Sequence, residues 1–180
     1  MPTKPAAQPV TDPLALVALE TERYVAGAGW EQPPRLFALV ATQDLVAREP
    51  GLAAGLAPAD LQTGALTAVE QDDLPVTSSV ETLLRRIAWP EAVTGCALVV
   101  ERIVVPSAAE RDLPEDEQEA VAALAAHPDR ADVRLVAAVT RDGRSICLLR
   151  QRAHDSDDQV ATGPDLAPGL VEALRTTLQD

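Results

Sequence analysis

The sequence predicts an α+β domain in which a mainly antiparallel sheet of about five strands has helices packed on it. Some segments carry apolar residues at helical spacing, whereas others are short runs rich in β-branched residues. Asp142-Gly143 separates two such runs and is a strong hairpin signal. A hairpin combined with isolated strands favours an antiparallel sheet.

The first half of the chain is predicted to begin with a helix. Asp12 supplies an N-cap acceptor, and Pro13 follows at the first helical position. One face of this helix then carries Leu14, Val17, Ala18, Thr21 and Val25. The elements that follow are a strand at 35–41, a short helix at 42–49, a loop at 51–58 and a strand at 61–70.

The second half alternates helices with strands. Ser78 and Glu81 form a capping box for a helix that ends before Trp89-Pro90. The segment 96–105 is the clearest strand because it is rich in β-branched residues. The elements that follow are an acidic helix at 113–126, hairpin strands at 133–140 and 145–151, a polar loop at 153–163 and a helix at 167–178.

One domain accounts for most of the 180 residues, because this length suits a single hydrophobic core. We expect residues 12–180 to form that domain. Residues 1–11 are predicted to be a flexible tail, since they are rich in proline and show no apolar periodicity. Aromatic residues make up only 2% of the chain, so Ala, Val and Leu must build the core.

The net charge of −13 bears on the class of partner. A surface of this sign repels phosphate backbones and anionic lipids, so we expect neither a nucleic acid nor a membrane partner. No apolar run approaches 18 residues, and the first residues contain no apolar core of a signal peptide. These features predict a cytoplasmic location.

Four segments resemble those of a known family: GWEQPPRLFALVAT (29–42), AREPGLA (47–53), TAVEQDDLP (67–75) and RIAWPEAVTGCALVVER (86–102). The family is a group of uncharacterised actinobacterial proteins of about this length. The resemblance covers nearly the whole chain after residue 11. It implies an actinobacterial origin but no activity, so it assigns no functional residues.

Cofactor and metal motifs are missing from the sequence. It contains no glycine-rich dinucleotide turn, no P-loop and no Gly-x-Ser-x-Gly elbow. His127 and His154 are the only histidines, and Cys96 and Cys147 are isolated from them and from each other. We therefore expect no cofactor and no metal site, and we expect the cysteines to be small buried apolar residues.

A carboxylate cluster is one candidate for a functional site. Glu70, Asp72 and Asp73 follow a predicted strand, at a place where loops often carry function. Neighbouring carboxylates can divide the roles of acid and base. Trp89, at the end of a predicted helix, is a candidate for the wall of the same pocket. The alternative reading is an acidic turn and a tryptophan that closes the core.

The predicted hairpin gathers arginines in an acidic chain. Six arginines and only two aspartates lie between residues 130 and 152. A two-residue turn would pair Arg141 with Arg144 and Val133 with Arg152, which puts Arg150 and Arg152 on the core side and Arg134 on the other. Exposed guanidiniums would suit carboxylates of a partner, whereas the alternative is surface pairing with the protein's own acidic residues.

Two functions are compatible with these features. The first is a non-catalytic module that binds another protein or associates with itself through the hairpin. Its predicted binding residues are Arg134, Arg141, Arg144, Arg150 and Arg152. The second is a small enzyme or ligand-binding protein with a pocket near Glu70, Asp72, Asp73 and Trp89. The first reading also predicts that Arg134→Glu leaves folding intact while it weakens partner capture or self-association.

Folding is predicted to need neither a disulfide nor a metal ion. The melting temperature should therefore be the same with and without a reductant, and with and without a chelator. Thermal unfolding followed by circular dichroism measures both effects. A large decrease in either condition would contradict this prediction, because a bridge or structural zinc contributes several kcal/mol, about 2–4 for a typical disulfide.

Overall fold

The computed structural model describes residues 12–56, 64–77, 79–164 and 166–179. The predicted tail, 1–11, lies outside the described residues. The helices are α1 (Pro13–Ala26), α2 (Thr42–Arg48), α3 (Val80–Arg85), α4 (Ser107–Arg111), α5 (Glu117–Ala126) and α6 (Pro168–Thr177). The strands are β1 (Arg35–Ala41), β2 (Leu66–Glu70), β3 (Gly95–Val104), β4 (Ala131–Thr140), β5 (Ser145–Gln151) and β6 (Ala161–Gly163).

The strands form one antiparallel sheet in the order β2-β1-β3-β4-β5-β6. This confirms the predicted α+β class, although the sheet has six strands instead of five. The extra strand is β6, which pairs with β5 in a segment that the sequence predicted as polar loop. Three residues without apolar alternation give no strand signal, so only pairing with β5 defines β6.

Helices cover both faces of the sheet. On one face, Leu14 and Val17 of α1 pack with Phe37, Val136 and Leu148. On the other face, α3 and α6 pack over a second cluster, whose buried residues include Leu84, Leu98, Val100, Leu135 and Leu174. The central strands are therefore apolar on both sides, which explains their near-continuous hydrophobic runs.

Local signals decided several element boundaries. Asp12 caps α1 as predicted, since its carboxylate accepts a hydrogen bond from the amide of Ala15 at 3.3 Å. The cap of α3 is Ser79, which accepts from the amide of Thr82 at 3.1 Å. The N-cap therefore lies one residue after the predicted Ser78, and Ser78 itself lies outside the described residues.

Five other segments differ from the prediction. Asp116 caps α5, so this helix begins four residues after the predicted start at Leu113. The short helix α4 was not predicted. Short 3-10 turns occupy Pro50–Gly55, which was predicted as loop, and Arg152–His154 and Asp157–Gln159 within the predicted polar loop.

The turn between β4 and β5 contains three residues, not the predicted two. Gly143 has a φ of 92° and donates its amide to the carbonyl of Thr140 at 3.1 Å, while Thr140 donates to Arg144 at 3.0 Å. The extra residue moves the register by one position, so Arg134 faces Arg150 and Val133 faces Gln151. A shift of one residue in the pairing of two strands moves every side chain of one strand to the other face of the sheet, relative to its partner strand.

No helix in the described ranges is both long enough and apolar enough to cross a membrane.

Gly95 allows the closest approach between β3 and β4. A Cβ atom at this position would lie 2.2 Å from the carbonyl oxygen of Val139. Since that oxygen belongs to the backbone of a central strand, it has no room to move aside. We predict that Gly95→Ala destabilises the fold by ~1–3 kcal/mol or more, as overpacking of a core does. Gly51→Ala, where no atom lies within 4 Å of the added group, is the matched control in urea unfolding.

Candidate functional site

Two of the hairpin arginines lie inside the protein. Arg134 and Arg150 sit opposite each other on β4 and β5, on the face that α1 covers, and their relative exposures are 1% and 2%. We refer to these two residues as the buried arginine pair. Like charges directly opposite each other on a sheet are destabilising, so this arrangement needs carboxylates nearby.

Arg150 receives its compensation from three carboxylates. Its Nε donates to both oxygens of Glu22 on α1, at 2.9 and 3.0 Å. Its Nη1 donates to Asp155 at 3.0 Å, and its Nη2 donates to Asp157 at 2.6 Å. The Glu22 side chain is itself only 1% exposed. The hydrogen bonds to Glu22, followed by those to Asp157 and Asp155, raise the pKa of Arg150.

Arg134 lies under the indole of Trp30. Its guanidinium carbon is 4.3 Å from the centroid of the ring, within the range of a cation–π interaction. Its Nη2 donates to the carbonyl of Gly29 and lies 3.6 Å from the carboxylate of Glu101. The indole N–H donates to Asp155 at 2.9 Å, and this bond is the main cause of the lowered pKa of Asp155. Trp30 therefore connects the surroundings of both buried arginines.

The segment that holds Trp30 has an uncommon backbone. Gly29 and Glu31 have φ values of 87° and 67°, and left-handed conformations are rare for glutamate. The carboxylate of Glu101 fixes this turn, because it accepts the amides of Glu31 and Gln32 at 2.8 and 2.9 Å. Within the described residues, the Nε and Nη1 atoms of Arg134 have no hydrogen-bond partner although they are buried.

The remaining hairpin arginines differ in their surroundings. Arg141 donates to backbone carbonyls, including those of Val93 at 2.8 Å and Pro90 at 3.1 Å, so it ties the hairpin to the segment before β3. Arg144 pairs with Asp12 at 3.3 Å and with Asp142 at 3.0 Å. Arg152 is exposed, and its guanidinium carbon lies 5.7 Å from the centroid of the Trp30 ring.

These positions correct the predicted placement of the arginines. Arg134 was predicted on the face opposite Arg150, whereas both lie on the same buried face, because the turn is one residue longer. Arg134 is therefore unsuitable as a surface probe, and we now expect Arg134→Glu to destabilise the protein. Four of the five arginines form hydrogen bonds or ion pairs within the chain, which leaves Arg152 as the most available of them.

Sequence reasoning missed the carboxylates that hold the buried arginine pair. Glu22 follows Ala18 by four residues and so lies on the apolar face of α1, which was a readable signal of a buried charge. Glu101 interrupts the apolar strand β3 in the same way. Asp155 and Asp157 gave no signal, because they lie in a polar loop whose path depends on the fold.

A groove lies between the end of β2 and the start of α3. Its volume is about 660 Å³, and we call it the β2–α3 groove. Its lining includes Glu70, Asp72, Asp73, Leu74, Val80 and Leu83. Val80 and Leu83 are buried, whereas Asp72 and Asp73 are exposed and form no ion pair within the described residues. The groove thus combines an apolar floor with two carboxylates that form no ion pair, although Arg35 and Arg102 also belong to its lining.

Glu70 is engaged in an ion pair at one side of this groove. Arg35 donates from Nε and Nη2 to its two oxygens, at 2.8 and 2.5 Å. The hydrogen bonds from Arg35 lower the pKa of Glu70. A carboxylate with a lowered pKa is a weak proton acceptor at neutral pH, so this ion pair favours a structural role over general base chemistry.

Trp89 does not line the groove, in contrast to the predicted pocket. Its indole N–H donates to the hydroxyl of Thr177 on α6 at 3.0 Å, and its ring packs against the core. The same hydroxyl lies 3.6 Å from the sulfur of Cys96. Burial raises the pKa of Cys96 to about 11, so this thiol is protonated at neutral pH. Trp89 thus packs against the core four residues after the end of α3.

Both cysteines are buried, as predicted. Over the ranges that the structure describes, no three His, Cys, Asp or Glu side chains are grouped so that they could hold a metal ion.

The fold defines this molecule as an α+β protein with an antiparallel sheet covered by helices on both faces. The chain belongs to the PPA1309-like protein family, whose model matches residues 14–179. No curated protein and no solved structure matches the chain. The family assignment agrees with the resemblance seen in the sequence, which spans nearly the same residues.

We predict that the loss of one partner of the Glu22–Arg150 ion pair destabilises the protein more than the loss of both. Arg150→Met should destabilise the protein by ~3–5 kcal/mol, because it leaves Glu22 buried without a counter-charge. The double variant Glu22→Leu with Arg150→Met should recover part of this loss. Urea unfolding of the wild type, of each single variant (Glu22→Leu and Arg150→Met) and of the double variant gives the coupling energy. Arg152→Gln, at an exposed position, is the control and should change stability by no more than ~0.5 kcal/mol.

Proposed function

We propose that this protein is a non-catalytic binding protein that accommodates a cationic segment of a partner protein in the β2–α3 groove. The observation that carries the proposal is the composition of this groove. Exposed Asp72 and Asp73 stand beside an apolar floor that contains Val80 and Leu83. A peptide with a lysine or arginine next to an apolar side chain matches both features.

The state of Glu70 supports binding over catalysis. Its carboxylate is committed to Arg35, and its pKa is lowered instead of raised. A general base at neutral pH needs a pKa closer to 7. The exposed side chain of Val76, at the edge of the groove, supports contact with a partner, because apolar residues at a groove are typical of docking surfaces.

The second candidate function is a small-molecule binding protein or a small enzyme. The observation in its favour is the volume of the groove, about 660 Å³, which falls within the range of ligand pockets. Glu70, Asp72 and Asp73 would then be the polar groups that orient the ligand. Native mass spectrometry of the protein from its own cells would distinguish this candidate by a bound small molecule.

A role for the hairpin arginines in partner binding stays a prediction. Arg152 is the best remaining member of that site because its guanidinium is exposed. A cytoplasmic location and an actinobacterial origin also remain parts of this proposal.

The groove is predicted to contact the partner at Val76. A photo-crosslinking amino acid placed at Val76 in the native cell should capture a segment with lysine or arginine beside apolar residues. The same crosslinker at exposed Leu52 is the control.

The captured segment, made as a synthetic peptide, should bind about fivefold less tightly to D72N/D73N than to the wild type, since each exposed ion pair contributes ~0.5 kcal/mol. Asparagine tolerates the left-handed backbone at Asp73, so the fold is retained.

A matched variant, D44N/E91Q, changes the net charge by the same amount at exposed positions outside the groove. It should bind the peptide almost as well as the wild type. Equal losses in both variants, or no crosslink at Val76 beyond that at Leu52, would contradict the proposal.

A further inference from the structure

The chain between β3 and β4 forms two helices that have little contact with the rest of the protein. No residue of α4 or α5 is buried, and α5 touches the sheet mainly along β3. Short helices in proteins usually obtain their stability from a buried apolar face. Here the apolar side chain of Val121 is 58% exposed. We call residues 107–126 the acidic helical hairpin.

The acidic helical hairpin carries a high density of unpaired negative charge. Ten consecutive residues, 110–119, contain six carboxylates and one arginine, and all seven side chains are exposed. Within the described residues, none of these carboxylates forms an ion pair. Only Asp116 has an evident structural task, since it accepts the amide of Glu119 at 3.0 Å and caps α5. The six carboxylates of this segment are Glu110, Asp112, Glu115, Asp116, Glu117 and Glu119.

A small apolar slot lies between the two helices. Its volume is about 190 Å³, and its apolar walls are Val105, Ala109, Leu113, Ala123 and Leu124. Asp112 and His127 also line it. The slot has room for one apolar side chain, and the segment that carries the carboxylates, 110–119, connects the residues of its two walls.

We propose that the acidic helical hairpin is a docking surface for a cationic amphipathic segment of a partner protein. One apolar side chain of that segment enters the slot, and its lysines or arginines face the unpaired carboxylates. Charge complementarity carries this choice of partner. A second copy of this chain would bring the same negative surface and a net charge of −13, so the two copies would repel each other. The surface is separate from the β2–α3 groove and does not depend on its function.

The test is an NMR titration of the ¹⁵N-labelled full chain with synthetic helical peptides. The first peptide carries leucine on one face and lysine on the other. In the second peptide, serine replaces leucine at the same net charge. The first peptide should shift amide signals of residues 105–127, and the second should bind at least tenfold more weakly because it has no side chain for the slot.

Protein variants separate specific docking from general attraction. E110Q/D112N/E115Q should weaken binding of the leucine peptide about tenfold at low salt, from ~0.5 kcal/mol for each exposed charge. D44N/E49Q/E91Q, with the same change in charge at exposed positions elsewhere, should weaken it less than twofold. Ala123→Leu fills the slot without any change in charge and should also weaken binding. Ala109→Leu serves the same purpose if the first variant does not fold.

The possible outcomes distinguish this surface from the groove. Shifts confined to residues 105–127, lost in the hairpin and slot variants, support the proposal. Shifts at residues 70–83 instead would overturn it while the groove proposal stands. Equal binding of the serine peptide, equal losses in both charge variants, or no localised shifts would each overturn it as well. None of these outcomes depends on whether Val76 crosslinks to a partner.

Discussion

Arg134 and Arg150 are neighbours across two central strands, and α1 covers both. Two cations in this position are tolerated only because carboxylates reach them from three parts of the chain. Glu22 comes from α1, Glu101 from β3, and Asp155 and Asp157 from the loop after β5. This set of contacts fixes the position of α1 on the sheet, the path of the loop and the turn at Trp30. Removal of one partner leaves another charge buried, which costs far more than an exposed pair contributes.

The same contacts determine which charges remain for other molecules. The arginines that seem available in the sequence are largely used within the chain, by carboxylates or by backbone carbonyls. Within the described residues, exposed carboxylates without an ion pair lie at Asp72 and Asp73 and along the helices after β3. The chain thus presents acidic surfaces beside apolar ones, which is why our proposals name cationic partners in both places.

Elements with a local signal were predicted well. The N-cap and proline at the start of α1, the limits of β1 and the two hairpin strands follow from nearby residues, and the structure has them within two residues. Elements without such a signal were missed. The helix α4 and the strand β6 are short, with five and three residues, and β6 is defined only by its pairing with β5. At Ser79, two serines in succession both offered a cap, and the sequence did not distinguish them.

The candidate site divides in the same way. The carboxylates Glu70, Asp72 and Asp73 are close in sequence, so their common position in one groove could be read from spacing. The ion pair of Glu70 could not be read in this way, because Arg35 comes from a neighbouring strand, where its hydrogen bonds lower the pKa of Glu70. The sequence analysis placed Trp89 with these carboxylates, but its indole N–H donates a hydrogen bond to Thr177 on α6, on another side of the core.

The sequence by itself determined the class of fold, the main helices and strands, the burial of the two cysteines and the negative charge of the protein. Each of these depends on composition or on residues a few positions apart. The tertiary structure decided the face on which each arginine lies, since the turn contains one residue more than predicted, Arg141, and this reverses the side chains of β5 relative to β4. The tertiary structure also decided which charges are buried, because Glu22 and Arg150 are 128 positions apart and meet only when α1 packs on the sheet.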